Sequence, residues 1–254
     1  MKRVLTALAL IPPVVYVVLW APAWLLFAVV AFVSCLSFYE FSAIASAAMP
    51  RSTALLGYAA GLAFLAVNSD AGVYLTLLTL AGMTLAMRAG DLADSLPRAA
   101  CLLLGVLYIF GCWKCALLVH RANPHWLMFA LLVNWCGDIG AYYVGRNFGR
   151  HKLAPRVSPK KTWEGAAGSL LAALLLAGAY LYRFIPGLHP AFIVGITLAA
   201  NAAGQVGDLA ESALKRGVGV KDSGTMLPGH GGFLDRVDST LFALPVVYAC
   251  LRLL

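Results

Sequence analysis

Long apolar runs alternate with short polar or Pro/Gly breaks along the whole chain. The runs are continuous rather than alternating with a period of two, so they predict helices and not the strands of a barrel. A helix that crosses a bilayer needs about 20 residues, and several of these runs are shorter. We predict nine spans: Val4–Trp20, Trp24–Ala45, Thr53–Val67, Val73–Met87, Ala99–Val119, Trp126–Val144, Gly165–Phe184, Pro190–Val206 and Ser239–Leu254.

Composition indicates that lipid is the solvent of these helices. Hydrophobic residues make up 61% of the 254 residues and charged residues only 12%, with a mean hydropathy of +0.83. Soluble domains carry about 25% charged and about 45–50% apolar residues, and a soluble core of this length has too little volume to hide so much apolar surface. No internal repeat is visible. We therefore predict an all-α, polytopic integral membrane protein with one membrane-embedded domain over residues 1–254.

Basic residues give this chain an orientation. With nine spans and the N-terminus inside, 15 of the 19 Lys and Arg residues lie on the cytoplasmic side, whereas Arg121, Arg183 and Arg252 lie outside and Lys114 lies within a span. Such an asymmetry orients membrane helices. The basic start followed by an apolar run also resembles a signal peptide, but Pro22 disfavours cleavage and further spans follow.

Two predicted cytoplasmic connections are longer than the rest, Gly145–Glu164 and Gly207–Asp238. Long connections are where function tends to lie. Before the first of them stands Asp138, a carboxylate inside the sixth predicted span, and intramembrane carboxylates are functional candidates because they are costly to bury.

Lys160 and Lys161 lie at the end of the first connection, just before a helix that Thr162 or Ser158 can cap. A helix N-terminus beside lysines suits anion binding. The alternative is that these lysines only fix the topology and contact lipid head groups. Local chemistry alone favours neither interpretation.

The second connection mixes carboxylates with basic residues. At helical spacing these form two groups, Asp208, Glu211, Ser212 and Lys215, and then Asp235 and Asp238. The glycine-rich loop between the groups allows backbone N–H groups to approach a ligand. Carboxylates bind Mg²⁺ and basic side chains bind phosphates, so the mixture suits phosphoryl or nucleotidyl transfer to a lipid. The alternative is a set of salt bridges between the loop and the helix ends.

Residues 212–238 resemble the signature of the bacterial phosphatidate cytidylyltransferases (CDP-diacylglycerol synthases). The matching positions are Ser212, Leu214, Lys215, Arg216, Lys221, Asp222, Gly224, Leu227, Pro228, His230, Gly231, Gly232, Phe233, Asp235, Arg236, Val237 and Asp238. Residues 138–146 and 158–165, the length and the number of spans also resemble that family. The first hundred residues add little beyond their hydropathy and Glu40.

The resemblance implies transfer of CMP from CTP to phosphatidate, which gives CDP-diacylglycerol and pyrophosphate for phospholipid biosynthesis. It further implies a homodimer among the lipids of a bacterial inner membrane, with its active site facing the cytoplasm and no nucleic-acid partner. By similarity, Mg²⁺ lies between Asp208 and Asp235, with K⁺ as a possible second cation.

The resemblance also assigns roles to individual residues. The expected catalytic residues are Asp208, Asp235, Asp238 and Lys215. The expected substrate-binding residues are Asp138, Ser158, Lys161, Ser212, Arg216, Lys221, Asp222, His230 and Arg236.

Other functions fit the sequence less well. A transporter tends to place its site at broken helices near the midplane, within inverted repeats, whereas the charges of this chain cluster near one surface. The absence of a Walker-type G-x-x-x-x-G-K-[ST], a G-x-S-x-G and an H-E-x-x-H motif disfavours P-loop kinases and common hydrolases. Closer alternatives are a CDP-archaeol synthase and a polyprenol kinase, the latter of which would release CDP rather than pyrophosphate.

Overall fold

The computed structural model describes residues 2–67, 71–87, 89–226 and 231–254. Within these ranges the chain forms nine helical segments and one small sheet. The helices are α1 (Lys2–Leu19), α2 (Ala23–Ile44), α3 (Arg51–Ala66), α4 (Ala71–Ala86), α5 (Leu92–Ala122), α6 (Pro124–Phe148), α7 (Trp163–Phe184), α8 (Pro190–Gly217) and α9 (Asp238–Leu251). Helix α5 begins with a 3₁₀ turn and contains a π-helical segment. Helix α7 contains a π-helical segment as well.

Each helix overlaps one predicted apolar run, and α8 extends beyond its run, to Gly217. Among the described residues, five helices are long and apolar enough to cross a membrane: α2, α5, α6, α7 and α8. The prediction of a helical, multi-pass membrane protein is thereby confirmed. Whether all nine helices cross the membrane stays a prediction, because α4 and α9 are shorter apolar helices.

Two helices start at sequence signals that fix their first turn. Pro124 opens α6 after Asn123, whose Oδ1 accepts a hydrogen bond from the backbone N–H of His125 at 2.9 Å. Thr162 caps α7, since its Oγ1 accepts from the N–H of Gly165 at 3.1 Å. Such caps satisfy N–H groups that have no partner inside the helix. The second of them confirms the predicted capping role of Thr162.

A β-hairpin joins α6 to α7, where we predicted no strands. Strand β1 (Lys152–Ala154) pairs antiparallel with β2 (Ser158–Thr162). At its base the Glu164 carboxylate accepts hydrogen bonds from the N–H groups of Arg150 and His151, at 3.1 and 3.2 Å. The all-α prediction therefore misses one element, and this element carries Lys160 and Lys161.

The interior is packed with aromatic and aliphatic side chains. Phe38, Phe110 and Phe129 are fully buried, and the ring centroids of Phe38 and Phe110 lie 5.4 Å apart. Other large apolar side chains, such as Trp24 and Leu175, are exposed on the outer surface. Outward-facing apolar side chains are expected of helices whose solvent is lipid.

Small residues bring α6 and α7 into close contact. A Cβ atom on Gly140 would collide with the carbonyl oxygen of Gly168, and one on Gly168 would collide with Val144. Glycines at such positions let the backbones of membrane helices approach each other closely. The close approach places the polar side chains of α6 beside the start of α7.

Lys114 finds its partners inside the helical bundle. Its Nζ donates hydrogen bonds to the carbonyl oxygens of Phe64 and Val67, at 2.8 and 2.6 Å, and lies 4.3 Å from the centroid of the Phe64 ring. These carbonyls lie at the end of α3, where helix carbonyls lack partners within the helix. Lys114 therefore caps a neighbouring helix.

Candidate active site

A cavity of about 410 Å³ lies among α6, the β-hairpin, α7, α8 and the start of α9. Its lining is polar at many positions. The polar side chains that line it are Asn134, Asp138, Tyr142, Arg146, Lys160, Lys161, Thr162, Ser169, Asn201, Gln205, Asp208 and Ser239. A cavity in a membrane protein with carboxylates and basic side chains in its wall is a candidate site for an anionic substrate and a cation.

An ion pair joins two walls of this cavity. The Lys161 Nζ on β2 lies 2.6 Å from Oδ2 of Asp208 on α8, and both side chains are about one-third exposed or less. Oδ1 of Asp208 accepts a hydrogen bond from the Ser212 hydroxyl one turn further along α8, at 3.3 Å. Asp138, on α6, is close enough to Asp208 for their charges to interact. Three residues predicted for the site thus meet at the cavity.

A second cluster lies beside Asp208 and is centred on Lys215. The Lys215 ammonium forms ion pairs with both Glu211 and Asp235. Glu211 is almost completely buried and Lys215 is only 8% exposed. The contact between the Glu211 carboxylate and the Lys215 ammonium is an ion pair that does not have the geometry of a hydrogen bond. Lys215 therefore pairs with two carboxylates at once, and its single positive charge is shared between them in a region of low dielectric constant.

Backbone N–H groups also hold Asp235. Its Oδ2 accepts from the N–H of Ser223 at 3.0 Å and from the N–H of Gly232 at 2.9 Å. Burial raises the pKa of the Asp235 carboxyl, but the hydrogen bonds from Lys215 and from these two N–H groups outweigh burial and hold its pKa below the usual range. Asp235 is therefore ionised at neutral pH.

Asp238 begins α9 and completes the group of carboxylates. Its side chain is 7% exposed, and its Oδ1 accepts a hydrogen bond from the N–H of Ser239 at 2.6 Å. Its charge interacts with those of Asp208 and Glu211. Asp238 therefore lies near the carboxylates of α8.

Other predicted substrate-binding residues that the structure describes are not part of the cavity lining. Ser158 lies opposite Ala154 in the hairpin. Arg216 donates to the carbonyl oxygen of Val220 at 2.9 Å. Three more are exposed in the connection to α9: Lys221, Asp222 and Arg236. His230, like the Arg88 used to predict topology, lies outside the described residues.

A model of the cytidylyltransferase family matches residues 1–254. The chain belongs to this family. Its relatives include the phosphatidate cytidylyltransferase of Staphylococcus aureus strain COL, 47% identical over 123 residues, which cover 48% of this chain and 47% of the relative. The same-named protein of Bacillus subtilis strain 168 is 44% identical over 154 residues, covering 59% and 57%. The chain thus spans about half the length of the curated relatives it matches.

The carboxylates of this cytidylyltransferase-family site are candidate ligands for a cation. Two lysines, Lys161 and Lys215, make ion pairs here, and Arg146 and Lys160 also line the cavity. They stand among five carboxylates, those of Asp138, Asp208, Glu211, Asp235 and Asp238. Among the described residues no three of the His, Cys, Asp and Glu side chains are already arranged to hold a metal ion. Mg²⁺ needs only one or two carboxylates, with phosphate oxygens and waters as its other ligands. The donor set fits Mg²⁺, and its placement between Asp208 and Asp235 stays a prediction.

Ion pairs between connections and helices, which the alternative interpretation of the second connection predicted, are present as well. Lys161 joins the hairpin to α8, and Lys215 joins α8 to the turn before α9. The ion pairs alone therefore do not distinguish a reactive site from a structural network. Lys161, Asp208 and Asp138 also line the cavity, where a ligand can reach them.

Sequence reasoning missed a row of amide side chains at the cavity. Gln205 donates to Asn201 Oδ1 at 2.8 Å, Ser169 donates to the same oxygen at 3.1 Å, and Asn201 donates to the carbonyl oxygen of Val133 at 3.2 Å. Asn201 and Gln205 stand one turn apart, as do Asn134 and Asp138. Polar residues four apart within apolar runs were the signal for this face of the cavity.

Proposed function

We propose that this protein transfers CMP from CTP to phosphatidate and releases pyrophosphate. The observation that carries the proposal is the cavity wall, where Lys161 and Asp208 pair beside Arg146 and Lys160 in a helical membrane protein. The names of the relatives, phosphatidate cytidylyltransferase, support the same activity.

The reaction joins two anions. An oxygen of the phosphatidate phosphate attacks the α-phosphorus of CTP, a new P–O bond forms, and the bond to the β-phosphate breaks so that pyrophosphate leaves with the electron pair. The phosphate nucleophile is already anionic and needs no strong general base. Charge repulsion is the main obstacle, because two like unit charges 4 Å apart repel by about 4 kcal/mol at an effective dielectric constant of 20.

Basic side chains at the cavity reduce this repulsion. Lys160 and Lys161 on β2 and Arg146 at the end of α6 supply positive charge to the triphosphate from neighbouring walls. Lys161 is paired with Asp208, so it would become available to a phosphate if Asp208 held a cation instead. Donors fixed before the reaction stabilise developing charge at little reorganisation cost.

The carboxylates are the residues that would hold Mg²⁺, Asp208 and Asp235 first, with Asp238 beside them. When bound, the ion supplies charge neutralisation for the phosphates and for the leaving pyrophosphate. Lys215 keeps Asp235 ionised and oriented. On the family resemblance alone we include K⁺ as a second cation and a homodimer as the active form.

The orientation is part of the proposal. The charge asymmetry supports nine spans with the N-terminus inside, and with them a cytoplasmic location for the hairpin and the connection between α8 and α9 at a bacterial inner membrane. CTP is then reached from the cytoplasm and phosphatidate from the lipid.

Product analysis tests the function directly. Purified protein is incubated with labelled CTP, phosphatidate and Mg²⁺, and both products are identified. We expect CDP-diacylglycerol and pyrophosphate in equal amounts. Release of CDP with a phosphorylated lipid would instead indicate a lipid kinase, and turnover of an archaeal ether lipid but not of phosphatidate would indicate a CDP-archaeol synthase.

A further inference from the structure

Glu40 connects the N-terminal half of the chain to the candidate site. It lies on α2, outside the cavity lining, and is 1% exposed. Its Oε2 accepts hydrogen bonds from the Ser223 hydroxyl at 2.7 Å and from the N–H of Leu234 at 2.8 Å, and its Oε1 accepts from the N–H of Phe233 at 2.9 Å. A carboxylate inside an apolar helix is costly, and three donors from one distant segment offset that cost.

The segment that Glu40 binds is the one that holds Asp235. The Ser223 hydroxyl donates to Glu40 and accepts from the N–H of Asp235 at 3.3 Å, while the N–H of Ser223 donates to the Asp235 carboxylate at 3.0 Å. Asp235 in turn pairs with Lys215. An unbroken series of contacts therefore runs from α2 through Ser223 and Asp235 to α8.

Two glycines show how closely this segment fits around the Glu40 carboxylate. A Cβ atom on Gly224 would collide with Glu40, and one on Gly232 would collide with both Glu40 and the Ser223 hydroxyl. The N–H groups of Phe233 and Leu234 belong to the start of the 3₁₀ turn Leu234–Arg236, which contains Asp235. Glu40 thus fixes both ends of the loop region around Asp235, at Ser223 and at the turn.

We propose that Glu40 is a positioning residue for the transfer reaction, which sets the orientation of Asp235 through Ser223 and the 3₁₀ turn. The inference rests on the proposed function. Residues that orient metal-binding or reacting side chains typically contribute 10–100-fold to metal affinity or activity. Glu40 acts at a distance, because its carboxylate faces Ser223 and the turn rather than the cavity.

The first test compares Glu40→Gln with the wild type. Glutamine keeps the size of the side chain. Both carboxylate oxygens of Glu40 accept hydrogen bonds, so the NH₂ group of glutamine faces an O–H or N–H donor in either orientation. We expect kcat to fall 10–100-fold and the Mg²⁺ concentration for half-maximal activity to rise, with the KM for CTP nearly unchanged. Ser37→Ala is the matched control, because Ser37 is buried one turn earlier on α2 and its hydroxyl donates only to the carbonyl of Val33 in its own helix. Wild-type kcat in Glu40→Gln would overturn the inference.

A double-mutant cycle guards against a variant that merely fails to fold. Ser223→Ala removes the hydroxyl that links Glu40 to the N–H of Asp235, but leaves the hydrogen bonds from Phe233 and Leu234 to Glu40 in place. If the two residues act through one connection, the loss in the double variant is smaller than the product of the single losses. Independent, multiplicative losses would overturn the inference.

Amide hydrogen exchange supplies a readout that needs no activity. In Glu40→Gln the N–H groups of Ser223, Gly232, Phe233 and Leu234 should exchange faster than in the wild type, while the amides of α7 keep their protection. Unchanged exchange at these four positions would overturn the inference. If the wild type makes no CDP-diacylglycerol, the proposed function fails, and hydrogen exchange still tests the connection by itself.

Discussion

The Lys161 ammonium lies 2.6 Å from a carboxylate oxygen of Asp208, and this contact joins the β-hairpin to α8 across the cavity. Both side chains are partly exposed to the cavity. Exposed ion pairs contribute only about 0–1 kcal/mol to stability. The pair therefore adds little to stability, and both of its members face the cavity.

Removal of one carboxylate charge should stop turnover. We expect Asp208→Asn and Asp235→Asn each to lower kcat by more than about 100-fold, which corresponds to about 3 kcal/mol or more of barrier, because a metal would lose a charged ligand. Initial rates at saturating Mg²⁺ measure the effect. The control is Asp94→Asn, which removes the carboxylate of the Asp94–Arg98 ion pair far from the cavity lining. Near-normal rates in either site variant would contradict the metal assignment.

The two signature lysines should fail in different ways. Lys215 is buried between Glu211 and Asp235, whereas Lys221 is exposed. Lys215→Ala leaves two carboxylates without their cation and should cost about 3–5 kcal/mol of stability as well as activity. Lys221→Ala should keep the wild-type melting temperature in detergent and lose at least about tenfold in kcat/KM if it contacts a substrate phosphate.

Arg98→Ala provides the comparison for these lysines, since it removes a predicted cytoplasmic charge outside the signature. Mild and equal losses in kcat/KM for Lys215→Ala, Lys221→Ala and Arg98→Ala would show that these residues serve only to orient the helices in the membrane.

Gly232 should tolerate no side chain. A Cβ atom there would meet the Ser223 hydroxyl, the Glu40 carboxylate and the backbone nitrogen of Gly224. We expect Gly232→Ala to cost about 1–3 kcal/mol of stability through overpacking and to lower kcat. Gly217→Ala is the matched control, because nothing lies within 4 Å of the added methyl group. Thermal unfolding and initial rates of both variants test this prediction. Equal stability and equal kcat in the two variants would contradict the close fit around Glu40.

Cysteine labelling tests the orientation. In a cysteine-free background, Arg150→Cys in the hairpin connection and Val218→Cys after α8 should resist a membrane-impermeant reagent on intact cells and react after the cells are opened. Arg183→Cys, at the end of α7, should react from outside. Val218 is chosen because it is exposed, and because the next residue, Gly219, has a φ of +78° that a side chain would strain. Labelling of Arg150→Cys or Val218→Cys from outside would overturn the nine-span topology.

Hydropathy by itself determined where the helices lie, because each apolar run must pair its own backbone groups in lipid. The predicted run Pro190–Val206 nevertheless ended early. Helix α8 continues to Gly217, so Asp208 and Lys215 belong to the same rigid element as the apolar segment. The helical spacing of Asp208, Glu211, Ser212 and Lys215 indicated that the helix continues. Residues 207–217 resembled a connection only because they are polar.

Only the tertiary structure decided which charged residues meet. Lys161 and Asp208 are 47 positions apart, and Glu40 and Leu234 are 194 apart, so no local pattern connects them. The hairpin that carries Lys161 is fixed by Glu164, and the turn that carries Asp235 is fixed by Glu40. Local spacing determines which face of a helix a residue occupies, whereas contacts between distant segments depend on how all the helices pack together. The sequence therefore identified the helices and the carboxylates but not the hairpin, and packing determined the partners of the charged residues.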